Sequence, residues 1–398
     1  MTALLLRGTV VAGGRSIPDG VVALDGDRIA WVGPAGTWAG PVPLPPPSDR
    51  YVLPGLVDVH CHGGAGHGFP EADDEGLQAA VDHHLAHGTT TLLGSLVSAP
   101  ADMLLERVAA LAPLVTAGRL AGIHLEGPFL AAARCGAQDP AAIVPGDPAL
   151  LERLLHAAGG TVASMTLAPE TPRYRELFAI LIRHGVLPSL GHTDATAGRT
   201  TAAIAEAGGA TLSATHLFNG MPELHHRAPG PAAACLAAAG RGEMVVELVA
   251  DGVHLADETV AMVFDLVGPD RIALVTDAMA AAGMPDGRYS LGSMRVDVVD
   301  RVARLAGAGT DRSIAGGTAR MVDVLRQVVL GSGVGLGAAA LAATATPARL
   351  LGLEHEIGDL VPGRRADVLV TDHDLAPAEV FRAGRRITAE RVLHGRAV

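Results

Sequence analysis

Short apolar runs alternate with longer, alanine-rich amphipathic stretches through most of this chain, from Leu56 to about Leu351. The stretches at residues 75–88, 101–111 and 196–208 carry apolar positions at helical spacing and predict helices. The apolar runs between such stretches are short and bounded by turn residues, which is typical of buried strands. Strands that alternate with helices favour a parallel sheet with crossover helices. The central part of the chain is therefore predicted to have an α/β fold.

The two ends of the chain have a different pattern. Residues 1 to about 54 contain short β segments, and Asp25-Gly26 is a hairpin turn signal between two of them. The proline-rich segment 41–47 marks a domain boundary, and β-like runs return at residues 366–372 and 392–395. We expect residues 1–54 and 355–398 to pair into one small β-sandwich domain, with residues 55–354 forming the catalytic domain.

Composition narrows the classes of function. The chain has 398 residues, of which 49% are hydrophobic and 18% charged, and its net charge is −12. This acidic balance indicates neither a nucleic-acid footprint nor a basic membrane-binding patch, so a small-molecule ligand is expected. The uncharged segment 328–348 is long enough to raise the question of a membrane span, but its glycines and alanines contribute little transfer energy. We interpret it as one buried helix of the central domain.

Cysteine and lysine usage adds two constraints. Cys61, Cys135 and Cys235 are too few and too widely spaced for a disulfide framework, and the amino-terminal residues lack the basic region of a signal peptide. A cytoplasmic location is expected. All 30 basic residues are arginine, so Schiff-base chemistry through lysine is excluded.

Imidazole and carboxylate side chains follow the apolar runs, at the places where strands are predicted to end. Function-bearing residues at strand ends are the signature of a (β/α)8 barrel, which we predict for the central domain. Imidazole and carboxylate together suit zinc or ferrous iron better than calcium or magnesium. The residues are His60, His62, Glu126, His192, His216 and Asp277.

Each of these residues also has an ordinary interpretation. His60 and His62 lie two apart on a predicted strand and so share a face, but such pairs are common without a metal. Asp277 could cap the helix start at residues 278–280. Glu126 favours a metal more strongly, because a buried carboxylate without a partner is costly.

Several motifs together give the chain a specific resemblance. It resembles the amidohydrolase superfamily and, within it, the deacetylases of amino-sugar phosphates. Many relatives with two metal ions bridge them by a carboxylated lysine, which this chain cannot do, whereas the sugar-phosphate deacetylases use a glutamate that corresponds to Glu126. The motifs are Pro54-Gly-Leu-Val-Asp-Val-His-Cys-His, His124-Leu-Glu-Gly-Pro-Phe-Leu, Gly191-His-Thr-Asp-Ala, Thr215-His-Leu-Phe-Asn-Gly-Met, Ala250-Asp-Gly-Val-His and Val275-Thr-Asp-Ala-Met.

The resemblance implies hydrolysis of N-acetylglucosamine 6-phosphate to glucosamine 6-phosphate and acetate. It assigns one divalent metal, zinc or Fe(II), to Glu126, His192 and His216. His60 and His62 would hold a second metal, as in those family members that bind two. Asp277 would take the proton from the attacking water and pass it to the leaving amine.

The resemblance also assigns a substrate-binding set. Arg227 would reach the phosphate from the neighbouring subunit, which implies a homodimer. Gln138 stands where the family has a histidine that polarises the acetyl carbonyl; its amide can donate a hydrogen bond but carries no charge. The whole set is Ala137, Gln138, Asn219, Gly220, Arg227, His254, Ile314, Ala315 and Gly316.

Two alternatives stay open. Gln138 is compatible with a different substrate, such as N-acetylgalactosamine 6-phosphate or another N-acyl amino sugar. A catalytically inactive scaffold with this fold is the other class, and the retained ligand set argues against it. A scaffold would purify without stoichiometric metal.

Overall fold

The computed structural model of the protein describes residues 4–307 and 313–388. Its elements fall into an amino-terminal β region, a long alternating region and a carboxyl-terminal β region. The chain begins with β1 (Leu4–Ala12), β2 (Arg15–Asp25), β3 (Arg28–Pro34) and β4 (Tyr51–Pro54). The alternating region contains β5 (Leu56–Asp58), β6 (Gly63–Gly64), β7 (His67–Gly68), α1 (Asp74–Ala86), β8 (Thr89–Val97), α2 (Ala101–Thr116), β9 (Gly122–Glu126), α3 (Pro148–Ala157), β10 (Val162–Leu167), α4 (Tyr174–Arg183), β11 (Leu187–Leu190), α5 (Ala197–Glu206), β12 (Ser213–Ala214), α6 (Gly230–Gly240), β13 (Val245–Leu248), α7 (Asp257–Val267) and β14 (Ile272–Leu274). It is followed by β15 (Gly287–Leu291), β16 (Met294–Val299), β17 (Val302–Leu305), α8 (Met321–Leu330), α9 (Leu336–Ala343), α10 (Ala345–Leu350), β18 (Val368–Thr371), β19 (Pro377–Arg382) and β20 (Arg385–Arg386).

Within the described residues, eight parallel strands form the central barrel, in the order β5-β8-β9-β10-β11-β12-β13-β14. The first and last strands meet beyond their ends, where Asp277 donates its backbone N–H to the carbonyl of His60 at 2.9 Å and Cys61 bridges to Ala278. All nine positions of β8 are buried, as expected for a parallel strand covered on both faces. The predicted (β/α)8 fold is confirmed.

The three predicted helices are present. The stretch 75–88 overlaps α1 (Asp74–Ala86), whose N-cap Asp73 accepts a hydrogen bond from the N–H of Gly76 at 2.9 Å. Residues 101–111 lie in α2, which continues to Thr116. The stretch 196–208 contains α5, capped by the side chain of Thr196. Side-chain caps satisfy N–H groups that the first helical turn leaves free. Polar capping residues therefore mark where these helices begin, and the spacing of apolar residues marks their length.

The prediction of one helix through residues 328–348 is wrong. The helix α8 ends at Leu330, and α9 and α10 follow as separate short helices. Gly331, Gly333 and Gly335 interrupt the first junction, because glycine lowers helix stability. None of the helices in the described residues is long and apolar enough to cross a membrane.

A three-stranded antiparallel sheet, β15-β16-β17, was not expected from the sequence. Its strands are short and half-exposed, so apolar and polar residues alternate only weakly along them. Leu291 and Val296 are buried in one cluster with Ala137 of the barrel loops. The extra sheet therefore packs against the end of the barrel where the strands terminate.

Both ends of the chain contribute to a separate seven-stranded sheet, in the order β20-β19-β18-β4-β1-β2-β3. The strands β4 and β18 pair antiparallel and join the two ends. The predicted hairpin turn is present, with Gly26 at φ +60° between β2 and β3. The β segment predicted at residues 392–395 lies outside the described residues.

Candidate metal centre and active site

The strand ends of the barrel bring the six candidate side chains together in one buried cluster. Glu126 is the last residue of β9, and the others lie two to four residues beyond the ends of β5, β11, β12 and β14. Because the strands are parallel, all of these ends lie at the same mouth of the barrel. The buried members are His60, His62, Glu126, His192, His216 and Asp277.

Glu126 joins two groups of possible metal ligands. One group is Glu126, His192 and His216, and the other is Glu126, His60 and His62; the ligand atoms in each lie within 4.8 Å of one another. Glu126 Oε1 lies 2.9 Å from His216 Nε2 and 3.0 Å from His192 Nε2. Its Oε2 lies 3.3 Å from His62 Nε2. One carboxylate therefore presents an oxygen to each group.

Hydrogen bonds on the outer side of the imidazole rings orient them for metal binding. In three of the four histidines, Nδ1 lies beside an oxygen that can only accept, so Nδ1 carries a proton and Nε2 is the ring atom that faces the centre and can bind a metal when it is unprotonated. Metal-ligating histidines are held in this way. The donor set thus fits a divalent metal. The pairs are His60 with the carboxylate of Glu247 (3.2 Å), His62 with the carbonyl of Ser95 (3.2 Å) and His192 with the carbonyl of Arg134 (2.7 Å).

The pKa values in the cluster depend on a competition between burial and the charges of neighbouring side chains. Burial lowers the pKa of His62, but hydrogen bonds to Asp277 and Glu126 outweigh it and raise that pKa to about 10. Burial alone would raise the pKa of Glu126, yet the neighbouring imidazoles hold it well below its usual range. The same competition lowers the pKa of Asp277. Both carboxylates are therefore stabilised as anions by adjacent positive charge, which a metal ion also supplies.

The backbone at three of these positions is in the left-handed region, which residues other than glycine rarely adopt. The φ angles are +46° at His192, +28° at His216 and +47° at Asp277. Strain of this kind clusters at functional sites, where the surrounding structure maintains it. Each turn directs a side chain across the barrel mouth immediately after its strand ends.

Gly220 shows how tightly the surrounding loops approach the cluster. Its φ is +60°, and a Cβ atom at this position would lie 2.9 Å from Nδ1 of His192. A side chain at residue 220 would press on the ring that Arg134 orients. Glycine at this position is therefore required by both the conformation and the space.

A cavity of about 260 Å³ opens beside the cluster. Most of the sequence-predicted substrate-binding residues line it, together with Asp277 and four of the candidate ligands. His60 is fully buried behind the cavity wall. The lining residues include Ala137, Gln138, Asn219, Gly220, His254, Ile314 and Gly316, and also Gly136, Leu291 and Ser313.

Two predicted substrate-binding residues are not in the cavity wall. Ala315 is buried, and its N–H donates to the carbonyl of Ala303 at 3.0 Å. This hydrogen bond attaches the segment 314–316 to β17. Arg227 lies on an exposed loop, with its Nη1 2.8 Å from Nε2 of His226. Arg227 therefore does not contact the cavity of its own subunit.

The Gln138 side chain is buried and has a defined orientation. The backbone N–H of Ser98 donates to its Oε1 at 2.8 Å. Its Nε2 has no hydrogen-bond partner among the described residues. A buried donor without a partner is costly, and here it belongs to a residue of the cavity wall.

His254 is an imidazole of the cavity wall that pairs with a carboxylate. Its Nδ1 lies 2.9 Å from Oδ2 of Asp251. Burial lowers the pKa of His254, but the hydrogen bond and the charge of Asp251 raise it above its ordinary value. A protonated imidazole in this wall suits an anionic or hydroxyl-rich ligand.

Sequence reasoning missed three residues of this region. Glu247 lies inside the apolar strand Val245-Val-Glu-Leu. A carboxylate within a buried apolar run needs a partner, and this requirement could have indicated its role. Asp251 lies in the motif Ala250-Asp-Gly-Val-His, of which the predicted substrate-binding set includes only His254. Leu291 belongs to the unexpected sheet, so nothing in the barrel pattern pointed to it.

Comparison with known proteins agrees with this geometry. Residues 51–398 match the amidohydrolase family. A solved N-acetyl-D-glucosamine-6-phosphate deacetylase from Mycobacterium smegmatis, a mutant in complex with N-acetyl-D-glucosamine-6-phosphate, is 43% identical with a TM-score of 0.90, covering 97% of this chain and 99% of that chain. The N-acetylglucosamine-6-phosphate deacetylase of Bacillus subtilis is 32% identical over 335 residues, 82% of each protein. The N-acetylgalactosamine-6-phosphate deacetylase of Escherichia coli O157:H7 is 33% identical over 349 residues, 87% of this chain and 90% of that protein.

Proposed function

The chain belongs to the amidohydrolase family, and on that premise we propose that it hydrolyses the acetamide of N-acetylglucosamine 6-phosphate to give acetate and glucosamine 6-phosphate. The observation that carries the proposal is the buried His and Glu cluster beside a cavity that Gln138 and Asp277 both line. The names of its relatives support the substrate class.

Glu126, His192 and His216 would hold one divalent metal, zinc or Fe(II), and His60 and His62 would share Glu126 to hold a second. A metal at this position supplies a water molecule whose pKa is lowered to about 7, together with polarisation of the scissile carbonyl. The protein contributes the fixed ring orientations and a buried setting in which electrostatic interactions are strong.

Asp277 acts as the general base and then as the general acid. Its carboxylate lines the cavity and is kept anionic by His60 and His62, with its Oδ1 3.3 Å from His62 Nε2. An anionic carboxylate can accept the proton of the attacking water. The same proton, moved to the nitrogen of the amide, allows the amine to leave.

Gln138 stabilises the oxyanion that develops on the acyl carbonyl. Its Nε2 is an unused donor in the cavity wall, and the N–H of Ser98 prevents the amide from turning its oxygen inward. A donor held in place before the reaction stabilises developing charge without reorganisation.

The sugar phosphate is held by His254, by the loop at Asn219 and Gly220, and by residues 314–316. Protonated His254 provides the charge attraction on the cavity side. Arg227 would bind the phosphate of the substrate held by the neighbouring subunit in a homodimer, since its planar fork suits phosphate and Arg227 is not part of the lining of its own cavity.

N-acetylgalactosamine 6-phosphate is the second candidate substrate. The specific observation in its favour is the 33% identity to a relative of that name, together with the glutamine at position 138. The metal centre and the role of Asp277 would be the same for either epimer.

The test is acetate release from the two phosphorylated epimers and from unphosphorylated N-acetylglucosamine, with metal content measured on the same preparation. We expect fast turnover of N-acetylglucosamine 6-phosphate alone and loss of activity with a chelator. Preference for the galactosamine epimer would establish the second candidate. Metal-loaded protein that releases no acetate from any of the three would overturn the proposal, and protein that binds no metal would establish a scaffold.

A further inference from the structure

Glu247 is a buried carboxylate in contact with the metal centre, on the side away from the cavity. It lies on β13 and is 4% exposed. Its Oε2 accepts hydrogen bonds from Nδ1 of His60 at 3.2 Å and from the backbone N–H of His216 at 3.3 Å. One oxygen atom thus contacts a residue from each of the two candidate ligand groups.

The surroundings of Glu247 give this carboxylate no other charged partner. Its neighbours along β13 are apolar, and His60 is its ion-pair partner within the described ranges. A buried carboxylate is costly unless it is paired and hydrogen-bonded. Apart from accepting the backbone N–H of His216, Glu247 is therefore stabilised mainly by the imidazole that it orients.

The two histidines of this group face each other in an arrangement that calls for an ion. Nε2 of His60 lies 3.1 Å from Nε2 of His62. Glu247 holds the proton of His60 on Nδ1, and the carbonyl of Ser95 does the same for His62. With Nδ1 of both rings engaged in this way, the two Nε2 atoms lie side by side and can bind one cation together once they are unprotonated.

We propose that Glu247 is a positioning residue that creates the second metal position by orienting His60. The inference rests on the metal centre of the proposed function. The other oriented histidines use neutral carbonyl groups, whereas His60 uses a carboxylate, which also places a negative charge next to the second metal position. Through the N–H of His216, the same oxygen connects the second position to the first.

The experiment counts metal ions in two substitutions at this position. Glu247→Leu removes the acceptor, and Glu247→Gln keeps a carbonyl oxygen for Nδ1 but removes the charge. After reconstitution with Zn²⁺ and removal of free ion, we expect two ions per chain in the wild type and one in Glu247→Leu. Glu247→Gln should hold both, with the second bound roughly 10- to 100-fold more weakly in a chelator competition.

A matched control separates the loss of any buried acid from the loss of this one. Asp367 is also 4% exposed, but it pairs with Arg365 in the small sheet domain. We expect Asp367→Asn to retain two ions. If Glu247→Leu does not fold, Glu247→Gln decides the question, because it is nearly the same size.

Three results would overturn the inference: a wild-type protein that saturates at one ion, a Glu247→Leu protein that keeps two, or a Glu247→Gln protein with unchanged affinity for the second ion. The ion count is made without substrate, so an error in the proposed substrate leaves it unaffected. Conversely, wild-type protein that hydrolyses N-acetylglucosamine 6-phosphate with a single ion would refute only the role of Glu247.

Discussion

Ser98 donates its backbone N–H to Oε1 of Gln138, and this one bond orients an amide side chain that belongs to the cavity lining. The oxygen is occupied, so the NH₂ group is the end left without a partner. The family resemblance implies a histidine at this place, which can be charged. Gln138 offers a hydrogen bond of fixed direction and no charge.

Replacing Gln138 with Glu keeps the size and the acceptor for Ser98 but removes the donor. The second carboxylate oxygen would face the acyl carbonyl and repel its developing negative charge. We expect kcat to fall by about 10²- to 10³-fold with metal content unchanged. Steady-state kinetics and metal analysis on the same sample would test this, and a variant with wild-type kcat would remove Gln138 from the reaction.

Replacing Asp277 with Asn separates proton transfer from metal binding. The amide preserves the shape but cannot accept the proton of the attacking water. We expect kcat to fall by about 10²- to 10⁴-fold while the ions assigned to the His and Glu cluster remain. Single-turnover acetate release is the measurement. Full activity in this variant would show that another group carries the proton.

Replacing Gly220 with Ala should weaken metal binding through His192. The new Cβ would lie 2.9 Å from Nδ1 of His192 and push its ring away from the carbonyl of Arg134. Gly208 is the matched control, since its φ is +59° and a Cβ there meets nothing within 4 Å. Both variants should lose roughly 1–2 kcal/mol of stability from the left-handed backbone. Weaker metal binding is expected only in Gly220→Ala, and equal affinity in both would refute the steric argument.

His84 predicts how the stability of the metal-free protein depends on pH. This fully buried imidazole has its pKa lowered by burial to about 4, against an ordinary 6.5. Above pH 6.5 it is neutral in both the folded and the unfolded states. Between pH 6.5 and 4 this imidazole is protonated in the unfolded chain but remains neutral in the folded protein. The free energy of unfolding therefore falls over this range, by an amount on the order of 3 kcal/mol.

Urea unfolding of chelator-treated protein at a series of pH values measures this effect. His84→Gln retains a donor for the carbonyl of Gly63, which Nε2 of His84 contacts at 2.9 Å. The variant should lose less stability than the wild type between pH 6.5 and 4. Identical slopes for the two proteins would show that His84 does not contribute to the acid sensitivity.

The barrel could be predicted because each strand is a local apolar run and each helix a local periodic pattern. Glu126 and His192 could be placed at strand ends for the same reason, since the end of a run is visible in the sequence alone. The segment 328–348 was misjudged because low charge indicates burial but does not report where glycines interrupt a helix.

The contacts that orient the site could not be predicted. The relation between Glu247 and His60 depends on strands that are far apart in sequence and face each other only after the barrel closes. Leu291 reaches the cavity through a sheet whose half-exposed strands carry little periodic signal. The direction of the Gln138 amide depends on a single backbone N–H from another loop.

The sharing of Glu126 between two ligand groups has a consequence for how the centre fills. An ion at either position takes negative charge from the only carboxylate that both groups contain. The second ion then enters a site with less anionic compensation and with a like charge nearby, so it binds more weakly than the first. The number of ions bound per chain would therefore depend on the free ion concentration. The same polypeptide would carry one ion under some growth or purification conditions and two under others.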